Sequence, residues 1–253
     1  MILAIDIGNT TVALATVNGL KVPMAYQMMT HLSPQRFRRE LRTIALRVKK
    51  SSSIEAVVIC SVVPAASHVV KREVSKIFGI KPLIIGKDII VPIKNCYRNP
   101  QEVGQDRLVC AFAARTQYGK PLIVVDFGTA ITFDVVSTKG DYLGGAIVPG
   151  LRLYAESLFE KTALLPKVKI APTKEIIGRD TKSSILSGIF HGYGALCDGM
   201  IQKISRQFKI KPGIVVTGGN TSVIKSFLGR IDHIDPALIF KGIAMVYRNH
   251  CAY

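Results

Sequence analysis

Ile2-Leu3-Ala4-Ile5-Asp6-Ile7-Gly8-Asn9-Thr10 has a second copy in Leu122-Ile123-Val124-Val125-Asp126-Phe127-Gly128-Thr129, 120 residues further along a chain of 253. An offset of nearly half the chain points to two related domains, not to a short-period repeat. Each copy continues into another apolar run, Val12 to Val17 and Ile131 to Val136, that stops at a turn signal, Asn18-Gly19 or Lys139-Gly140. Both halves therefore open as strand, glycine turn, strand, hairpin, strand.

Outward from these copies, the first half has helical patterns near 34 to 50 and 64 to 78 around a strand from Ala56 to Ser61. Ser33-Pro34 opens the first helix and Gly79 closes the second. The second half reads as a helix near 150 to 162, a long helix from about 181 to 208, the strand Gly213 to Thr217, and a helix opened by Gly218-Gly219. Tyr118-Gly119-Lys120-Pro121 joins a helix-stop glycine to a proline, which sets the expected boundary between a domain of residues 1–117 and one of residues 118–253. The fold class is α/β, with mixed sheets carrying helices.

A strand that ends in Asp-x-Gly sets a carboxylate at its tip, and the glycine lets backbone N–H groups approach an anion. One such turn in isolation is most simply a turn. Two in matching contexts suit a polyphosphate held from both sides. Asp6 is then placed to hold Mg²⁺ through water, an ion that takes one or two carboxylates plus substrate phosphates. Gly8, Asn9, Thr10 and Thr11 are candidates to cradle the phosphates. Val215-Val216-Thr217-Gly218-Gly219-Asn220, a strand tip feeding a helix N-terminus, is a third candidate element. The chain has no G-x-x-x-x-G-K-[ST] and no G-x-G-x-x-G, so P-loop and Rossmann sites find no support.

Composition narrows the classes further. At 48% hydrophobic and 20% charged residues the chain is globular. The apolar start meets Asp6 before a signal peptide's hydrophobic region develops, and no run approaches the roughly 20 apolar residues of a membrane helix. Cys60, Cys96, Cys110, Cys197 and Cys251 are scattered without Cys-x-x-Cys spacing, and the five histidines show no metal-ligand spacing. A cytoplasmic protein without membrane contact is expected. The net charge of +17 attracts anions. Its densest basic stretch, Arg36, Arg38, Arg39, Arg42, Arg47, Lys49 and Lys50, is interleaved with Phe37, Leu41, Ile44 and Val48 at helical spacing, the pattern of a solvated helix face. A nucleic-acid-binding or regulatory protein with weak catalysis is the competing reading.

Five strings occur in a telling order: Asp6-Ile7-Gly8-Asn9-Thr10, Gly104-Gln105-Asp106-Arg107, Asp126-Phe127-Gly128-Thr129-Ala130-Ile131-Thr132-Phe133-Asp134, Gly144-Gly145-Ala146-Ile147-Val148-Pro149-Gly150 and Gly178-Arg179-Asp180-Thr181. Over almost the whole chain they resemble the type III pantothenate kinases of the actin-like and sugar-kinase superfamily. The resemblance implies two similar actin-like (ribonuclease H-like) domains, each a mixed sheet flanked by helices, with the nucleotide cleft between them. It further implies ATP-dependent phosphorylation of pantothenate to 4'-phosphopantothenate, the first step of coenzyme A biosynthesis, by a homodimer that needs Mg²⁺ and a monovalent cation, K⁺ or NH₄⁺.

By the same resemblance Asp6, Ile7, Gly8, Asn9, Thr10, Thr11, Val12 and Ala13 bind ATP and Thr129 touches its phosphates. Asp126 coordinates the monovalent cation. Tyr97, Gly104, Gln105, Asp106, Arg107 and Thr181 contact pantothenate, with Asp106 as proton acceptor. The residues alone leave alternatives open: Asp126 as a second magnesium ligand, Asp106 as a helix cap or a partner of Arg107, Thr181 as a helix cap, Tyr97 as packing. The positive end of the helix running to Tyr118, together with Arg107, is expected to keep Asp106 ionised. Gln105 stands where the family has a small residue, Cys110 where an amide is common and Asp180 where an asparagine is usual, which bears on the pantothenate pocket more than on the reaction. The single geometric expectation is that Asp6, Asp106 and Asp126 converge.

Overall fold

The computed structural model describes residues 1–252. The chain runs through β1 (Ile2–Ile7), β2 (Thr11–Asn18), β3 (Lys21–Met29), α1 (Pro34–Ser51), β4 (Ala56–Ser61), α2 (Pro64–Phe78), β5 (Leu83–Ile84) and α3 (Gln105–Tyr118). It continues through β6 (Leu122–Phe127), β7 (Ala130–Val136), β8 (Tyr142–Pro149), α4 (Leu151–Lys161), α5 (Thr181–Ser187), α6 (Tyr193–Ser205), β9 (Gly213–Thr217), α7 (Thr221–Ile224), β10 (His233–Ile234) and α8 (Leu238–Cys251). Two compact units result. Met1–Gln117 clusters with the segment from Ala237 onward, and Tyr118–Pro236 forms the other unit.

Each unit holds one five-stranded sheet, and the two sheets share a topology. The orders are β3-β2-β1-β4-β5 and β8-β7-β6-β9-β10. In both, the first three strands form an antiparallel meander and the last two run parallel to the first. The repeat extends to register: Asp6 lies opposite Ala13 and Cys60, and Asp126 opposite Thr132 and Thr217. The copies differ at the turn, where Gly8, Asn9 and Thr10 link β1 to β2 but only Gly128 and Thr129 link β6 to β7. Central strands covered on both faces need continuous apolar runs, which is why 2–5 and 122–125 read that way.

In the first unit, Leu3, Ile5, Ile7, Val57 and Ile59 pack against Phe37, Leu41 and Val48 of α1 and Val70 and Val74 of α2. The buried stripe of α1 has Ala45 in the fully buried place expected of Ile44, which is half-buried. The basic run is the opposite, solvated face. Arg36 pairs with Glu40 at 2.9 Å, and Arg42 reaches the buried Glu73 of α2 at 2.7 Å.

The expected second domain, 118–253, differs from the observed unit at its end. α8 buries Leu238, Phe240, Ile243, Ala244 and Val246 and packs on β1 and β4. A β-carbon on Gly242 would stand 2.6 Å from Val109 Cγ1 and 2.8 Å from Val109 O, so α8 meets α3 at a contact open only to glycine. Dividing the chain at its midpoint hides such a return of the terminal helix.

In the second unit, Ile123, Val125, Phe127, Ile131 and Phe133 form a core with residues of α4, α5 and α6. The single helix expected over 181–208 is α5 and α6 joined by a π-helical turn, Gly188–Gly192. The helix after Gly218-Gly219 shrinks to the four residues of α7 and a 3₁₀ turn, Lys225–Phe227. No described helix is long and apolar enough to cross a membrane.

Candidate active site

The first glycine turn is clamped from the side. Gly8 N donates to Thr11 O at 2.9 Å, while Thr30, just after β3, donates its hydroxyl to Gly8 O at 2.8 Å and its N–H to Thr10 O at 2.9 Å. Asp6 is half-buried at the tip of β1, Asn9 is exposed, and Thr10, Thr11 and Ala13 are half-buried. The side chains of Ile7 and Val12 point into the core, so those two residues face a ligand only through their backbone. Sequence reasoning missed Thr30, whose role depends on strand register alone.

Asp106 occupies the first turn of α3. Its Oδ1 accepts the Arg107 N–H at 2.9 Å. A β-carbon on Gly104 would collide with that same oxygen and lie 3.5 Å from Val62 Cγ1, so the carboxylate folds back over bare backbone next to the end of β4. Cys60, on β4, is fully buried and in register with Asp6. Its thiol is pushed well above the usual range by burial first, then by the charges of Asp6 and Asp106. Val62, just after β4, donates its N–H to Ile7 O at 3.0 Å and lies against Gly104, over which the Asp106 carboxylate folds, so Asp106 stands at the end of the first sheet where β1 carries Asp6. At Asp106 the Arg107 charge acts in the expected direction, toward the ionised form. Burial raises its carboxyl above the ordinary range and outweighs the Arg107 N–H and guanidinium, because desolvation penalises the charged form more than one hydrogen bond restores.

Tyr97 and Arg107 are half-buried, and Tyr97 N donates to Asn95 Oδ1 at 3.0 Å. Cys110 is buried in α3.

The second unit assembles its own cluster. Asp126 is half-buried at the tip of β6 and Thr129 is exposed in the following turn. Gly218, with φ +95, brings the end of β9 so close that a β-carbon would collide with Asp126 Oδ1 and stand 2.6 Å from Phe127 N. Asn220 fastens the same turn, donating its N–H to Phe127 O at 3.0 Å and its side-chain amide to Gly128 O at 3.2 Å. Gly150 N donates to Thr129 O at 3.0 Å, with no space for a side chain between them. Gly150, the last residue of the string Gly144 to Gly150, thus brings the start of α4 against the turn. Thr181 is the exposed first residue of α5, and the capping role belongs to Asp180. Asp180 accepts from Ser183 N at 2.8 Å, and that bond holds its carboxyl below the usual range.

Duplicated β3-β2-β1-β4-β5 sheets, each with an aspartate-glycine turn after its central strand, define an actin-like fold of the sugar-kinase type. A ROK family glucokinase from Streptomyces griseus, solved with glucose and AMPPNP, has this fold, with TM-score 0.56 and 12% identity over 98% of this chain and 99% of its own. The chain belongs to the type III pantothenate kinase family. The sequence model of that family matches residues 2–203. The type III pantothenate kinase of Persephonella marina is 46% identical over 99% of both chains, and that of Listeria monocytogenes is 38% identical over 99% of this chain and 98% of its own.

Proposed function

We propose that this protein transfers the terminal phosphoryl group of ATP to the hydroxyl of pantothenate, forming 4'-phosphopantothenate at the entry to coenzyme A biosynthesis. Family membership supports the reaction. The observation that supports the residue roles is Asp106 at the sheet end where β1 runs into its glycine turn, a carboxylate on the side of a phosphate-type turn. Phosphoryl transfer is mostly in-line positioning and charge neutralisation. Asp106 orients the attacking hydroxyl and accepts its proton late in the transfer. Arg107 lies next to it to meet the pantothenate carboxylate, with Tyr97, Gly104, Gln105 and Thr181 completing the acceptor contacts.

The backbone from Asp6 to Ala13 and the turn at Thr129 engage ATP. Asp6, a single half-buried carboxylate at a strand tip, suits Mg²⁺ that arrives with the nucleotide and keeps most of its waters. Asp126 offers a hard oxygen donor of the kind a monovalent cation takes. Bound cations would neutralise charge on the phosphates. We further propose a cytoplasmic homodimer. The apolar Leu143 and Ile147, exposed along the edge strand β8, favour burial by a second copy.

ADP release is measured with and without pantothenate, in potassium and then in sodium. Pantothenate-dependent release faster in potassium is expected; release indifferent to pantothenate would overturn the reading. Light scattering at working concentration is expected to give twice the 27.6 kDa chain mass.

A further inference from the structure

The first turn of α3 rests on a loop to which none of these roles is assigned. After β5 the chain closes tightly from Gly86 to Ile89: Gly86 N donates to Ile89 O at 2.7 Å, and the Asp88 carboxylate takes the Ile84 N–H at 2.9 Å. Ile85 N donates to Ile59 O at 2.9 Å, and Ile85 and Ile89 are buried, so the loop is fixed to the strand that carries Cys60. Gly86 has φ +85. A β-carbon built on it would stand 2.7 Å from Cδ, 2.9 Å from Cγ and 3.0 Å from Oε1 of Gln105. The glutamine side chain therefore lies on the bare Cα of Gly86, in space that any other residue at that position would fill.

Gln105 directly precedes Asp106 and falls within the acceptor-contact run Gly104 to Arg107, so a catalytic consequence of its seating rests on the kinase reading. A glutamine has several rotatable bonds, and without a seat it would sweep the approach to the N-terminal turn of α3. We propose that Gly86 is a specificity-determining positioning residue for the alcohol acceptor. By seating Gln105 it holds that side chain at the rim of the acceptor's path, where it can contact the acceptor without lying across the approach. The effect belongs to the acceptor side, so the nucleotide should not register it.

A double-mutant cycle with Gly86→Ala and Gln105→Ala tests this, with pantothenate and ATP varied separately. Gly86→Ala is expected to raise KM for pantothenate at least tenfold, with kcat and KM for ATP within about twofold of wild type. In the Gln105→Ala background, adding Gly86→Ala should leave KM for pantothenate unchanged within about twofold, although the positive φ still lowers the melting temperature. An equal rise in both backgrounds, or no rise in either, overturns the proposal. Should Gly86→Ala not fold, Gln105→Phe, too wide for the seat, is expected to give the same acceptor-only rise, and an unchanged KM would count against the seat. One readout needs no turnover. The Gln105 side-chain amide resonances should shift in Gly86→Ala, and resonances that stay in place overturn the proposal even if pantothenate proves not to be the substrate.

Discussion

Asp106 serves two opposed requirements. Burial over Gly104 raises its carboxyl, yet proton acceptance needs the ionised form. Its folded pKa lies above the unfolded value, so its contribution to stability is complete below the ordinary aspartate range near 4 and is lost as pH rises through the folded value. At neutral pH the charged side chain is a local destabilisation. Asp106→Asn is therefore expected to lose about a hundredfold in kcat while its melting temperature at pH 7 equals or exceeds wild type; a mutant that melts earlier would remove burial as the dominant influence. The acid limb of the wild-type pH–rate profile should lie above the ordinary aspartate range. The motif Gly104 to Arg107 made Asp106 legible in the sequence. Its environment was not, because Val62 and Cys60 reach it through folding alone, and the burial that outweighs the Arg107 charge is not written in the local sequence.

At the scale of elements, two contacts carry predictions. Gly218 joins the tip of β9 to Asp126 in a backbone conformation that disfavours any side chain. Gly218→Ala is expected to destabilise by about 1–3 kcal/mol from backbone strain, with overpacking against Phe127 adding to it, as read from urea unfolding. The pair Arg42–Glu73 ties α1 to α2, and the Arg42 hydrogen bond is the main cause that lowers the Glu73 carboxyl. A depressed folded pKa gives stability that is present above the ordinary glutamate value and lost as pH falls through the folded one. Arg42→Ala should thus cost about 1–2 kcal/mol at pH 7, less at acid pH and less in high salt, because the guanidinium is more than half exposed. Strands β1, β4, β6 and β9 and helices α1, α2 and α4 were readable from apolar runs and caps. The two-residue strands β5 and β10 were not, since each is held by pairing with a distant neighbour. The π-helical turn escaped because periodicity does not register one inserted residue.

For the whole molecule, the decisive feature is that the first unit is discontinuous in sequence. Residues 118–236 form the second unit between its two pieces. A fragment of residues 1–117 lacks α8, whose side chains cover β1 and β4, and is expected to show no cooperative unfolding transition by circular dichroism. Joining residues 237–253 to it through a flexible linker should restore the transition. The duplicated halves were visible in the two aspartate-glycine copies, but the ownership of the last helix was not, because α8 carries an apolar face without a cap or a motif to name its partner. That arrangement reverses the usual schedule of vectorial synthesis. The unit translated first stays unfinished until α8 is made, about 7 to 27 s after residue 117 at ordinary elongation rates, while every strand and helix of the unit translated second is synthesised before then. A nascent chain of this protein thus spends much of its synthesis with the α8 side of the Asp6 sheet uncovered, the interval in which a chaperone would find it.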